Sequence, residues 1–189
     1  MTQLSGFHIM LPPGWSRYRV DDEGRKQFTS RLAARMKEVA NPELDVRMRM
    51  LAAGRWKELE QSGTHSIYLA DRQVDGLAHL PISLAVRQHV APAGVIFADG
   101  VQALTRAPVD SIDSAIGPIL RWQGEKGGEG DTAGITTRTI GYGFAVPDAD
   151  GRRGLVFTAA VPYPDGADPA LIDGATELVD SIMETFRWR

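Results

Sequence analysis

Between residues 140 and 161, apolar side chains recur at every second position on both sides of a turn. Ile140, Tyr142, Phe144 and Val146 alternate with small neighbours, Asp148 to Gly154 supplies loop chemistry, and Leu155, Phe157, Ala159 and Val161 resume the alternation. Each run predicts a strand with one apolar face, and the short link makes the pair an antiparallel hairpin. That apolar face needs a cover, and the chain provides one directly downstream. Asp168-Pro169 places an N-capping carboxylate before a proline at the first helical position. Leu171, Ala175, Leu178, Val179, Ile182, Met183 and Phe186 then fall on one side of a helix, and Asp173, Glu177, Asp180 and Glu184 on the other. The spacing predicts a helix that packs on the sheet and turns its acids to water.

Upstream, the period is helical first and alternating afterwards. Phe7, Ile9 and Leu11 alternate as a strand until Pro12-Pro13-Gly14, and Trp15, Tyr18 and Val20 continue in extended backbone. Asp21, Asp22 and Glu23 open a helix whose stripe is Phe28, Leu32, Met36 and Val39. Asn41-Pro42 restarts it, with Leu44, Met48, Leu51, Arg55 and Leu59 at helical spacing up to Ser62-Gly63. Val46, Met48 and Met50 also alternate, but the Ala, Leu, Arg, Glu and Lys content favours the helix. Ile67 and Leu69, then Ile82, Leu84, Val86 and Val90, read as two strands around an Asp75-Gly76 turn. Residues 99–107 fit a short helix and Ile119–Trp122 a strand. Gly124–Gly134, with five glycines and no large apolar residue, reads as a flexible, dispensable loop. The whole chain, 1–189, thus reads as one α+β domain: a mostly antiparallel sheet packed by an N-terminal helical pair and a C-terminal amphipathic helix.

The search for chemistry returns no catalytic, cofactor-binding or metal-binding residue. Cysteine is absent, which removes disulfides, thiolate metal sites and cysteine nucleophiles. His8, His65, His79 and His89 lack zinc-site spacing, although His79 and His89 fall on runs that adjacent strands would bring together. Ser62, His65 and Ser66 lie close together but read as a polar turn. The run Gly124-Glu125-Lys126-Gly127-Gly128 is not a phosphate loop, because no Ser or Thr follows the lysine and two glutamates repel phosphate. Asp148, Asp150 and Gly151 fit a hairpin turn better than a calcium loop, whose other positions hold Ala149, Arg152 and Arg153. Basic residues at 25, 26, 31, 35 and 37 flank a helical stripe, yet the net charge of −3 and dispersed Trp15, Trp56, Trp122 and Trp188 argue against nucleic acid. Met1 to Gly6 have no basic start or apolar core, so the expected compartment is the cytoplasm, and no stretch approaches a membrane span.

The opening Phe7-His8-Ile9-Met10-Leu11-Pro12-Pro13-Gly14-Trp15 resembles the strand and Leu-Pro-x-Gly-Trp entry of bacterial PsbP-like domains. The ending Ile182-Met183-Glu184-Thr185-Phe186-Arg187-Trp188 is similar to the close of uncharacterised proteins from high-GC Gram-positive bacteria. The resemblance implies an α/β/α sandwich that acts as a binding module, chaperone or assembly factor. The matching motifs are structural, so no functional residue is carried over. The resulting expectation is a non-enzymatic adaptor that holds a protein or peptide on its sheet or in a groove, with no cofactor. The alternative is a small hydrolase built on a histidine–carboxylate pair at His79 or His89.

Overall fold

The structure is a computed structural model, and it describes residues 6–39, 42–72, 74, 81–147 and 151–189. In chain order the elements are β1 (Phe7–His8), β2 (Trp15–Arg19), α1 (Asp22–Val39), α2 (Pro42–Gln61), β3 (Thr64–Ala70), β4 (Ser83–Val90) and α3 (Phe97–Leu104). They continue with β5 (Asp110–Ile112), β6 (Ile119–Gly127), β7 (Ile135–Ala145), β8 (Arg153–Pro164), α4 (Pro169–Glu184) and β9 (Arg187–Trp188). Seven strands form one sheet in the order β2-β3-β4-β8-β7-β6-β5. Every neighbouring pair is antiparallel. The remaining two, β1 and β9, pair with each other through Phe7↔Trp188 and His8↔Arg187.

Alternation along the strands divides the side chains between two covered faces. On the first face, Leu84 and Val86 of β4, Tyr142 and Phe144 of β7 and Phe157 of β8 meet Ala175, Val179, Ile182 and Met183 of α4. Phe186 stacks on Phe144 with ring centroids 3.9 Å apart, and Phe7 lies against both Phe157 and Phe186. On the second face, Tyr18 and Ile67 carry Trp56 of α2 with Phe28 of α1, while Leu120, Trp122 and Val156 carry Phe97 and Val101 of α3. Helices therefore cover both sides of an antiparallel sheet. The expected α+β class and its α/β/α layering hold.

Two caps work as the sequence implies. The Asp21 carboxylate accepts the Gly24 amide at 2.8 Å, and Asp168 accepts the Ala170 amide at 2.9 Å. Gly24 has a second role: a Cβ there would lie 1.9 Å from the Arg19 carbonyl oxygen, so only glycine lets α1 start so close to β2.

Several expectations change. Among the described side chains of α2 the inward ones are Asp45, Met48, Ala52, Trp56 and Leu59, while Leu51 and Arg55 are exposed; the expected Leu44 side chain lies outside the described residues. The bulk of Trp56, buried between Tyr18, Phe28 and Ile67, sets that rotation. The strand alternative at Val46–Met50 falls, since α2 is helical throughout. The short helix expected over 99–107 is α3, Phe97–Leu104, and β5 joins the sheet edge although its three residues are all exposed. Gly124–Gly134 is not a flexible loop. β6 runs on to Gly127, Gly128 donates its amide to Ile135 O at 2.7 Å, and Gly130–Thr132 forms a 3-10 turn. A Cβ on Gly128 would sit 2.1 Å from Thr132 O, so the glycine there permits a tight turn. In α4, Ile172 is buried in place of Leu171, which is 65% exposed.

The acidic side of α4 also departs from the expected solvent face. Asp180 accepts bonds from Tyr142 Oη at 2.6 Å and from Arg121 Nε at 2.8 Å, and Asp173 pairs with Arg138 at 2.8 Å. Asp173 and Asp180 are two turns apart on one flank of α4, where Arg138 of β7 and Arg121 of β6 meet them, so two of the four acids tie that flank to the sheet. Glu177 and Glu184 remain exposed.

Candidate interaction surface

Among the described residues, those singled out for chemistry do not assemble into a reacting site. His79, Asp148, Ala149 and Asp150 lie outside the described residues, as do Asn41 and the Asp75-Gly76 turn. His89 turns toward α3, with its ring 6.0 Å from that of Phe97 and Nε2 buried without a hydrogen-bond partner. Burial, with the nearby Arg87 charge second, holds its pKa below the usual range. Ser66 Oγ contacts His65 Nδ1 at 2.8 Å, but Ser66 is fully buried and also accepts Arg17 Nη2 at 3.2 Å. A serine fixed this way cannot reach a substrate. No cluster of three or more metal-ligating side chains occurs among the described residues.

Two openings deserve comparison. A cleft of about 280 Å³ beside the N-terminus of α1 is lined by Arg17, Arg19, Asp21, Glu23, Gly24 and Gln27. Arg19 and Asp21 pair there at 3.2 Å, so the cleft carries both signs of charge and favours neither an anion nor a cation. On the second sheet face, Ser83, Ala85, Thr139, Thr158 and Ala160 form a half-buried floor between the α1–α2 pair and α3. These side chains are small, and none offers a large apolar anchor.

The helical pair is different. At 1.5 Å per residue, α1 and α2 are each about 30 Å long, yet they anchor to the sheet at their base, where Phe28, Trp56 and Leu59 meet Tyr18 and Ile67. Tyr18 also ties the base together. Its hydroxyl donates to Asp71, and Arg31 of α1 bonds to Asp71 and Tyr18. Burial first, then the Asp71 bond, pushes the Tyr18 pKa up to about 12. Farther along, Leu32, Met36 and Met48 are only half-buried between the two helices. On the far side of α2, away from α1, Val46 is 59% and Met50 72% exposed, and Leu51 on its flank is 44% exposed. Exposed apolar residues scattered singly need no explanation, but Val46 and Met50 lie one turn apart and make a short apolar strip, with Leu51 beside Met50 on the flank. The sequence held this signal: Val46 and Met50 are apolar residues left over once the inward stripe is filled.

Charge on the pair is mixed. α1 carries five Lys or Arg with Asp22, Glu23 and Glu38, and α2 carries four Lys or Arg with Glu43, Asp45, Glu58 and Glu60. Arg25, Arg31, Arg49 and Arg55 pair with Asp22, Asp71, Asp45 and Glu58. Lys26, Arg35, Lys37 and Lys57 are exposed and make no ion pair among the described residues.

No protein-family model matches the chain, and no curated protein matches it in sequence. Among solved structures, the chain is similar to the Ran-binding protein Mog1p of Saccharomyces cerevisiae, with 11% identity and a TM-score of 0.47. That alignment covers 65% of this chain and 77% of Mog1p. Nothing about a ligand or partner is carried over at that level of likeness. No helix among the described residues is long and apolar enough to cross a membrane.

Proposed function

We propose that this chain is a non-enzymatic binding module, an adaptor or chaperone-like protein of the PsbP-like kind, that engages a protein partner through its helical pair. The observation that carries the reading is the exposed patch of Val46, Met50 and Leu51 on a helix whose opposite side is already packed. Covering a Val or Met side chain is worth about 1.5–3 kcal/mol, so the patch is a source of affinity for whatever covers it. The half-buried floor of the second sheet face, where the sequence led us to expect the partner, offers only small side chains, and the exposed Val90, Ile112 and Ile135 lie on three different strands. The hydrolase alternative gains no support from His89, which is turned into the protein with no carboxylate bonded to it.

The test is affinity capture from the native host with the wild-type chain and a Val46→Asp/Met50→Asp variant, compared by mass spectrometry. Both positions are exposed, so the variant should keep its circular dichroism spectrum and melting temperature. The reading expects a partner retained by the wild type and lost from the variant. Identical protein sets from the two baits would overturn it.

A further inference from the structure

Two buried side-chain polar atoms lack a hydrogen bond among the described residues, Trp56 Nε1 and His89 Nε2, and only the histidine titrates. His89 stands on β4 opposite Gly154 of β8, and its ring turns into the contact between the sheet and α3. A Cβ at Gly100 would lie 2.9 Å from His89 Nε2 and 2.7 Å from the Ala91 Cβ. The glycine in the middle of α3 therefore lets the helix backbone settle on the imidazole. We propose that His89 is a pH-sensitive latch, which keeps α3 on the sheet while its ring is neutral and lets the helix go once the ring is protonated.

Neutral imidazole carries a proton on one nitrogen, imidazolium on both. Whichever tautomer His89 adopts at neutral pH, its charged form must put an N–H at Nε2, where no acceptor stands and Gly100 and Ala91 fill the space. A buried charge without a partner is costly, and the neighbouring charges do not relieve it. Arg87 lies two residues back on the same strand face, and Arg152, bonded across to Ala91, donates its guanidinium to the Ala91 carbonyl at 3.0 and 2.8 Å. The charged residue of α3 is Asp99, which is exposed. Arg153 opposes Val90 and so belongs to the other sheet face. β7 meets α3 through Gly143, which brings no charge. Asp148 and Asp150 precede Gly151, whose carbonyl accepts the Phe97 amide at 2.8 Å, and both acids lie outside the described residues.

α3 is the element that such a charge dislodges. Its eight residues are too few for a helix to hold by itself, and Ile96 at its N-cap offers no side-chain bond. Phe97 and Val101 seat it on Leu120, Trp122 and Val156. Thr158 and Ala160 follow Val156 along the same face of β8, so the vacated seat runs on into the half-buried floor beside it. Release thus opens an apolar stretch of sheet that is covered at neutral pH. The sign follows from burial, with Arg87 second, which holds the docked ring's pKa below its ordinary value. A released histidine titrates near about 6.5. The latch is therefore fully closed above about pH 6.5 and weakens as pH falls from there toward the lower pKa of the docked ring.

Hydrogen exchange of the full chain, read by mass spectrometry and corrected for the intrinsic pH dependence of amide exchange, tests the latch. Between about pH 7.5 and about pH 5.5 the protection of 97–104 should fall by up to about tenfold, the limit set by one proton taken up below about pH 6.5. At the lower pH α3 should exchange ahead of α4. His89→Leu removes the titrating ring, and His89→Gln does so in a polar side chain should leucine overfill the site. Both should hold the protection of α3 constant across the interval. Asp148→Asn/Asp150→Asn should leave the wild-type response in place, and NMR titration should give a His89 midpoint below that of a peptide histidine. A response that survives in both His89 variants, or that vanishes with the aspartates, would overturn the latch. So would a His89 midpoint at or above the ordinary value, α3 and α4 amides that always exchange together, or no protection of α3 at neutral pH.

Discussion

Replacing Asp180 with alanine tests whether the acidic side of α4 is a solvent face or a clamp. The carboxylate accepts Tyr142 Oη at 2.6 Å, Arg121 Nε at 2.8 Å and Arg121 Nη2 at 3.1 Å. Tyr142 is 2% exposed, so its hydroxyl has no water to turn to when the acceptor is removed. An orphaned buried donor costs about 1–3 kcal/mol. Arg121 suffers less, because it is 19% exposed and keeps a bond to Gln123 Oε1 at 3.2 Å. The sum for Asp180→Ala is about 2–3 kcal/mol, against roughly 0.5 kcal/mol for Glu177→Ala on the exposed part of the same helix. Urea unfolding measures both, read from midpoints with the m-value checked for constancy. Adding Tyr142→Phe to Asp180→Ala removes the orphaned hydroxyl and should recover about 1 kcal/mol. Equal losses from Asp180→Ala and Glu177→Ala, or no recovery in the double variant, would refute the clamp.

Gly141→Ala should destabilise the protein by about 3 kcal/mol or prevent folding, because a Cβ there would fall 1.9 Å from the Trp122 ring that lies flat on it; thermal melting decides, and an unchanged transition would mean the indole has room to move. Burial and the Asp71 bond raise the Tyr18 pKa to about 12, and burial with the Asp180 bond raises that of Tyr142 further. Unfolded tyrosine ionises near about pH 10, so this stability is complete below that pH and is lost as pH rises toward about 12. Urea unfolding across this range should show a falling stability that Tyr18→Phe makes shallower; an unaltered slope would contradict the assignment.

The strands of the 140–161 hairpin and the α4 cap were legible because their cause is local: alternation, an Asp-Pro start and a 3.6-residue stripe. Errors arose where distant residues decide. Arg55 and Trp56 are consecutive and point about 100° apart on the helix, and the cage of Tyr18, Phe28 and Ile67 selects the direction of Trp56 for the inside. Leu171 and Ile172 pose the same choice at the start of α4, where the sheet receives Ile172. The glycines of 124–134 read as freedom because their partners, Ile135 O and Thr132 O, are visible only once β6 and β7 are paired. The sheet order was not legible, since β4 joins β8 across more than sixty intervening residues. The patch on α2 was present in the sequence as surplus apolar residues, but it could not be recognised as surplus before the inward stripe was fixed.

The pairing of β1 with β9 has a bearing on how the protein is made. Residues 7 and 8 leave the ribosome early, but their strand partners are residues 187 and 188. Phe7 waits as well for Phe186, whose ring it stacks against at 5.8 Å. Contacts between such distant residues form late and slow folding. For most of translation the apolar opening segment therefore has no place to go, and the first face of the sheet stays uncovered until α4 is complete. Apolar surface exposed in that interval is what makes partly folded chains prone to aggregate.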